Sequence, residues 1–283
     1  MQEIVNNGNW LPKRTAPADN PHMADRFAQV YELTAHRITA PVAVQALRLA
    51  GPIDARTRIL DIAAGAGALS IPAAFSGATV MAVDIAPGMV NLLSERLKPF
   101  PNAQTLVMDG QALAIDDDSV DLTFSIFGVS LFNDWRTGLA EQVRVLRSGG
   151  KACIATWKTP PGGGPFLVMA QAIRAVFPEA RPPAPPDGFI ALSDPSRIVT
   201  ELEEAGLADV HVVEVQAVWQ GAAGQAYLDE LHDLHRFMPP YAALDEQGRR
   251  DVDQAILRAL DAFTAGERTH MVSPVLIATG TKA

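Results

Sequence analysis

The stretch Thr57 to Ala74, TRILDIAAGAGALSIPAA, constrains this chain more than any other. Arg58 to Ala63 has the β-branched, apolar character of a buried parallel strand. Ala64 to Ala68 carries no side chain larger than a methyl group, and the apolar run from Leu69 suits a helix. Strand, small-residue turn and helix together open an α/β sheet whose ligand crevice lies at the carboxyl ends of its strands. Without a Cβ, Gly65 and Gly67 can take positive φ and let a ligand approach the backbone. The free N–H groups of the turn and of the helix start can then hold a carboxylate or a phosphate.

Two ligand classes use such a turn. A dinucleotide fingerprint wants G-x-G-x-x-G, and here Gly65-x-Gly67 is followed by Ser70. The acidic form D-x-G-x-G-x-G is matched as Asp61-x-Ala63-x-Gly65-x-Gly67. On these residues the chain resembles the class I S-adenosylmethionine (SAM)-dependent methyltransferases. The resemblance is to the small-molecule subgroup related to the ubiquinone and menaquinone methyltransferases. Ala63 departs from the usual first Gly, and needs either negative φ or some strain. The alternatives from other classes are an NAD-dependent oxidoreductase and a SAM-binding protein that transfers no methyl.

Two further acids follow the turn. Asp84 ends the strand Thr79 to Ile85, about twenty residues past the glycines, the separation at which an acid meets ribose hydroxyls. Asp109 ends a strand from Thr105 and precedes Gly110-Gln111. The resemblance assigns Asp84 to the ribose, Ile85 and Met89 to the adenine and nucleoside faces, and Asp109, Gly110 and Gln111 to the adenine edge. The fourth strand, Val120 to Gly128, ends at the switch point of such a sheet. There the resemblance places Ser125 and Phe127 beside the cofactor, and Phe127, Ser130 and Asn133 beside the substrate. Tyr31 and His36 precede the first strand, on helices that the family lays over the cofactor pocket.

The remainder of the chain is read as a frame for that site. Met1 to Pro21 is a polar arm, with Trp10 as its one anchor. Helical spacing from Met23 leads to a second helix, Val42 to Leu49, opened by Thr39-Ala40-Pro41. Asn133-Asp134 caps a helix that Gly149-Gly150 stops before a strand, Lys151 to Trp157. A helix Phe166 to Phe177 lies between two Pro-rich links, and Ser193-Asp194-Pro195 starts another. A sixth strand, Val210 to Trp219, precedes two helices, Gln225 to Phe237 and Leu244 to Thr264, and a last strand runs from His270 to Thr279. His232 and His235, three apart on the first of these helices, are candidates for a base, a metal pair or plain surface residues. Met238 and Tyr241 suit the wall of an apolar substrate pocket. No metal site is expected.

The expected fold is therefore α/β: a Rossmann-like seven-stranded sheet with an antiparallel last strand, N-terminal helices and a helical cap. The expected divisions are residues 1–56 (arm and lid helices), 57–220 (SAM-binding core), 221–266 (substrate cap) and 267–283 (final core strand). A net charge of −9 opposes a phosphate-tracking surface, so nucleic acid is not expected as a partner. A single cysteine, Cys153, forms no internal disulfide and reads as a buried small hydrophobe. No signal pattern or long apolar span is visible, so a cytoplasmic protein acting on a small molecule, not at a membrane, is expected. A homodimer is the one self-association considered.

Overall fold

The computed structural model describes residues 20–160, 162–180 and 184–283, so the anchor expected at Trp10 lies outside the described residues. One sheet organises the chain. Its strands are β1 (Arg58–Ile62), β2 (Thr79–Asp84), β3 (Ala103–Val107), β4 (Val120–Ile126), β5 (Leu146–Trp157), β6 (Leu207–Ala222), β7 (Thr264–Ala265) and β8 (Arg268–Lys282). The spatial order is β3-β2-β1-β4-β5-β8-β6, with the two-residue β7 beside β8. The pairs among β3, β2, β1, β4 and β5 are parallel, and β8 runs antiparallel to both β5 and β6. This is the expected sheet, with the order reversing between β1 and β4. Ligands in open α/β sheets bind at such a reversal.

The eleven α-helices of the described residues are α1 (Asp25–Leu33), α2 (His36–Ala50), α3 (Ser70–Phe75), α4 (Pro87–Leu97), α5 (Trp135–Arg144) and α6 (Pro165–Val176), then α7 (Asp187–Ala191), α8 (Pro195–Glu204), α9 (Gly224–Phe237), α10 (Pro239–Ala242) and α11 (Glu246–Leu260). Alternation along β1 divides the core between the two faces of the sheet. Ile59 joins Phe124, Cys153 and Ile277 beneath α2, α3, α4, α6, α9 and α11, while Leu60 and Ile62 join Ile154 and Leu276 beneath α5 and α8. Cys153 is buried among hydrophobes, and burial pushes its thiol up to about 12.

Several boundaries differ from the sequence reading. Helix α2 starts at His36 and contains Pro41, instead of starting at Thr39. Proline removes one intrahelical bond, and the buried stripe Ile38, Val42, Ala43 and Ala46 holds the helix through it. Strand β5 begins at Leu146, paired with Val120, so Gly149 and Gly150 lie within its first residues and do not end a helix. A Cβ on Gly150 would sit 2.9 Å from the Asp121 carbonyl oxygen, next to a register shift between Val120 and Leu122. The second Pro-rich link leads into α7, a helix too short for periodicity to show. The expected break at residues 238–241 is largely α10, and the final helix stops at Leu260 before a 3-10 turn and β7.

Candidate active site

The glycine turn is built from residues in the left-handed region. Gly65 has φ +53° and Gly67 φ +90°, and Ala63 takes φ +59° in spite of its methyl group. The strained outcome therefore holds at Ala63. The turn is also crowded: a Cβ on Gly128 would lie 2.4 Å from the Ala63 Cβ and 3.3 Å from the Ile62 carbonyl oxygen, so residue 128 has no room for a side chain. On the other side, a Cβ on Gly67 would lie 2.4 Å from Leu93 Cδ1 of α4. The Ala64 N–H donates to the Val83 carbonyl at 3.0 Å and binds the turn to β2. The Arg96 guanidinium, which sequence reasoning missed, donates to the Ala66 carbonyl at 2.6 Å and pairs with Glu32 at 3.1 Å.

Asp84 faces this turn. One carboxylate oxygen accepts from the Gly65 N–H at 2.8 Å, the other from the Ala86 N–H at 2.9 Å. Burial raises its pKa, opposed by these backbone donors. Asp61 is 2% exposed and accepts from the Ser70 hydroxyl at 2.5 Å. Burial pushes its carboxyl up to about 7, the Ser70 hydroxyl opposing and the Asp84 charge adding to the rise. Ser70, standing where a dinucleotide fingerprint would have glycine, thus holds the motif's acid beneath the turn. Asp109 accepts from the backbone and side-chain amides of Gln111 at 2.9 and 3.0 Å. Gln111 Oε1 in turn accepts from the Asp134 N–H at 2.7 Å, linking this corner to the start of α5. Gly110 is sealed by Phe132: a Cβ there would sit 2.6 Å from that ring.

Helix α1 covers the turn. Its start presses on α4, where a Cβ on Gly88 would meet the Ala24 carbonyl carbon at 2.4 Å. Met89 is buried with Ala28 and Ala86 in this contact, while Ile85 is 52% exposed. Tyr31 is brought to Gly65, with its ring 4.0 Å from the position a Cβ would take there. Burial raises the Tyr31 pKa, a hydrogen bond with Thr39 lowers it, and the Asp84 charge raises it. His36 lies half-buried near Arg96 and Glu32; burial first, then the Arg96 charge, lowers its pKa, against the pull of Glu32.

Beyond the turn, Phe127 sits at φ +62°, its N–H donating to the Ala155 carbonyl at 2.8 Å. Its ring stacks on Trp157 at 4.6 Å and 28°. The Ser125 hydroxyl accepts from the Val129 N–H at 2.9 Å, and Ser130 is buried under α7. Asn133 is exposed, and Asp134 alone supplies the side-chain cap of α5. Met238 and Tyr241 are buried, and the Tyr241 hydroxyl donates to Asp253 at 2.9 Å. The histidines of α9 separate: His232 is exposed and bonded to Asp233 and Arg236, and His235 is 2% exposed. They do not share a ligand-facing surface, so the metal pair is not formed. Among the described residues no cluster of three or more His, Cys, Asp or Glu has metal-site geometry.

Two surface hollows lie away from this constellation. One, of about 1090 Å³, is lined by Arg37, Glu230 and Arg268 near the start of α9. The other, of about 710 Å³, lies by Arg58, Thr79 and Ala103 at the amino ends of the strands, opposite the crevice. Convergent backbone donors and carboxylates locate the site better than hollow size.

The sheet order, the turn and the strand-end acids define a class I SAM-dependent methyltransferase fold. Residues 59–150 match the family described as Methyltransferase domain. The demethylmenaquinone methyltransferase of Clavibacter sepedonicus is 36% identical over 133 residues, 47% of this chain and 49% of that protein. That of Mycolicibacterium gilvum is 28% identical over 217 residues, covering 70% and 91%. A solved phosphoethanolamine N-methyltransferase of Haemonchus contortus superposes with a TM-score of 0.58 at 16% identity, covering 99% of this chain and 66% of that one. The chain spans about half the length of the first of these curated relatives. Residues 59–150 thus carry a methyltransferase domain, and the chain is similar in sequence to the demethylmenaquinone methyltransferases.

Proposed function

We propose that this chain binds SAM at the Ala63–Gly67 turn and moves its methyl group to an O, N or C atom of a small, largely apolar acceptor. The observation that carries the reading is the Asp84 carboxylate held across the turn by the Gly65 and Ala86 N–H groups. Each carboxylate oxygen retains a free lone pair, so Asp84 can accept from two vicinal ribose hydroxyls at once. The residues present fit the group. Gly65 is bare where the backbone must be approached, Ile85 offers an apolar face, and the Asp109 carboxylate, whose Oδ1 is held by Gln111, has Oδ2 left to accept from an exocyclic amine. Tyr31 above Gly65 closes the site from the α1 side.

The sulfonium supplies the activation of the methyl carbon when bound. The chain's part is to align the acceptor and exclude water, and alignment alone can lower a barrier by several kcal/mol. The Phe127–Trp157 stack stands at the end of β4, where an aromatic face stabilises a nearby cation by about 1 kcal/mol or more. His36 and His235 are the imidazoles available as bases for an acceptor that must lose a proton, while His232 serves the surface. The relation to demethylmenaquinone methyltransferases makes quinol-like rings the first acceptors to try.

The test is turnover. Incubation with SAM and a panel of phenols, quinols and carboxylic acids is expected to give S-adenosylhomocysteine and a product heavier by about 14 Da. Tight binding of NAD with none of S-adenosylhomocysteine, by calorimetry, would reverse the assignment.

A further inference from the structure

Helix α4 supports the glycine turn with two side chains, Leu93 and Arg96, that share one face of the helix. Leu93 fills the space beside Gly67, where a Cβ would lie 2.4 Å from its Cδ1. Arg96 makes the polar contact. Its Nη1 donates to the Ala66 carbonyl at 2.6 Å and lies 3.1 Å from Glu32 Oε1 of α1. One nitrogen, with its two hydrogens, thus bridges the turn and the helix that covers it.

Both partners depend on this bridge. Ala66 is 1% exposed, so water does not stand in for the arginine donor. The peptide that follows Ala66 leads into Gly67 at φ +90°, and glycine resists its rotation less than any other residue would. With the Ala66 carbonyl held, the Gly67 N–H donates to the Ala64 carbonyl at 3.0 Å and closes the turn. Glu32 stands in the last turn of α1, where the helix dipole disfavours an acid and no basic residue offsets it. The Arg96 charge compensates Glu32 from across the interface. Tyr31, its neighbour in sequence, stands over Gly65. Helix α1 has a second clasp on α4, the Asn91 amide donating to Asp25 at 2.9 Å, which does not involve the turn.

We infer that Arg96 is a positioning residue for the cofactor: it fixes the Ala66 peptide and, through Glu32, makes the seating of α1 and Tyr31 depend on the geometry of the turn. By linkage, a ligand that settles on the turn favours the seated helix, and the seated helix favours the ligand-ready turn. The inference rests on the SAM reading of the turn.

Calorimetric titration with S-adenosylhomocysteine tests it in the unaltered chain and in variants whose folding is checked by thermal melts. Arg96→Met is expected to weaken binding about tenfold or more. Arg96→Lys, whose ammonium can still reach one of the two oxygens, is expected to restore part of that loss. Glu32→Gln is expected to weaken binding about threefold in the unaltered chain and to add nothing in Arg96→Met, because the two side chains act as one unit. Asp25→Ala loosens the same helix without touching the turn, and is expected to change affinity less than about twofold. At saturating S-adenosylhomocysteine, hydrogen exchange of the α1 amides is expected to slow in the unaltered chain and in Asp25→Ala, but not in Arg96→Met. Undiminished affinity in Arg96→Met, additive losses in the double variant, or a loss in Asp25→Ala equal to that in Arg96→Met would each overturn the inference. Should Arg96→Met not fold, unchanged affinity and unchanged α1 exchange in Glu32→Gln would overturn it instead. No binding to the unaltered chain would sink the cofactor reading and this inference with it, whereas binding there that the Arg96 variants leave intact would sink this inference alone.

Discussion

Two buried regions of the molecule treat their polar groups in opposite ways. At the ends of the first three strands, Asp61, Asp84 and Asp109 each accept hydrogen bonds from groups close in sequence or on the adjoining turn. Between β6 and α9, Trp219, Tyr227 and His235 are more deeply buried than Asp84 and Asp109, and Trp219 Nε1, Tyr227 Oη and His235 Nε2 have no hydrogen-bond partner among the described residues. The first arrangement is complete before any ligand arrives, as a preorganised cradle is. The first arrangement is carried largely by local motifs, whereas the second depends on packing between β6 and α9.

The comparison breaks most readily at Gly67. Gly67→Ala puts a methyl 2.4 Å from Leu93 Cδ1 at φ +90°. It is expected to destabilise the chain by roughly 2–4 kcal/mol, from backbone strain and overpacking together. Urea unfolding measures this, and a loss below about 0.5 kcal/mol would show the cradle to be loose.

Asp61 gives the next effect. Burial raises its carboxyl from an ordinary value of 3.8 to about 7. Between those values the folded chain holds a proton that the unfolded chain has released. The contribution of Asp61 to stability is therefore greatest below pH 3.8 and is lost as pH rises to about 7. Asp61→Asn, nearly isosteric and still able to accept from Ser70, is expected to flatten this fall and to gain roughly 1–3 kcal/mol at pH 8. Parallel pH-stability curves for the two chains would refute it. Smaller still is Ala63→Gly, which relieves φ +59° and is expected to raise stability by about 1 kcal/mol in thermal unfolding. An unchanged or lowered melting temperature would show that the turn carries no strain there.

The same contrast decided what could be read from the sequence. Buried parallel strands are apolar runs ended by turn residues, so β1, β2 and β4 and the glycine turn between β1 and α3 were legible. Three acids at successive strand ends marked where the candidate site was to be sought. Arg96 was not legible, because one arginine on a helix carries no signal that its guanidinium will reach a carbonyl thirty residues earlier. Neither was the positive φ of Phe127, since nothing in its residue type favours the left-handed region. Pro41 read as a helix start because proline favours the first turn, but burial of Ile38 and Val42 carried the helix through it. In the helical layer the periodicity gave α9 and most of α11 but not their depth. His232 and His235 looked alike at a spacing of three, and only packing showed one in solvent and the other beneath Tyr227 and Tyr241.

The central claim is that the turn and Asp84 together hold an adenosyl ligand. Calorimetric titration of S-adenosylhomocysteine into the unaltered chain and into Asp84→Ala, with folding of both confirmed by thermal melts, tests it most directly. The account predicts one site in the unaltered chain and a loss of about 1.5–3 kcal/mol of affinity in the variant. Equal affinity in two folded chains, or no binding to the unaltered one, would contradict it.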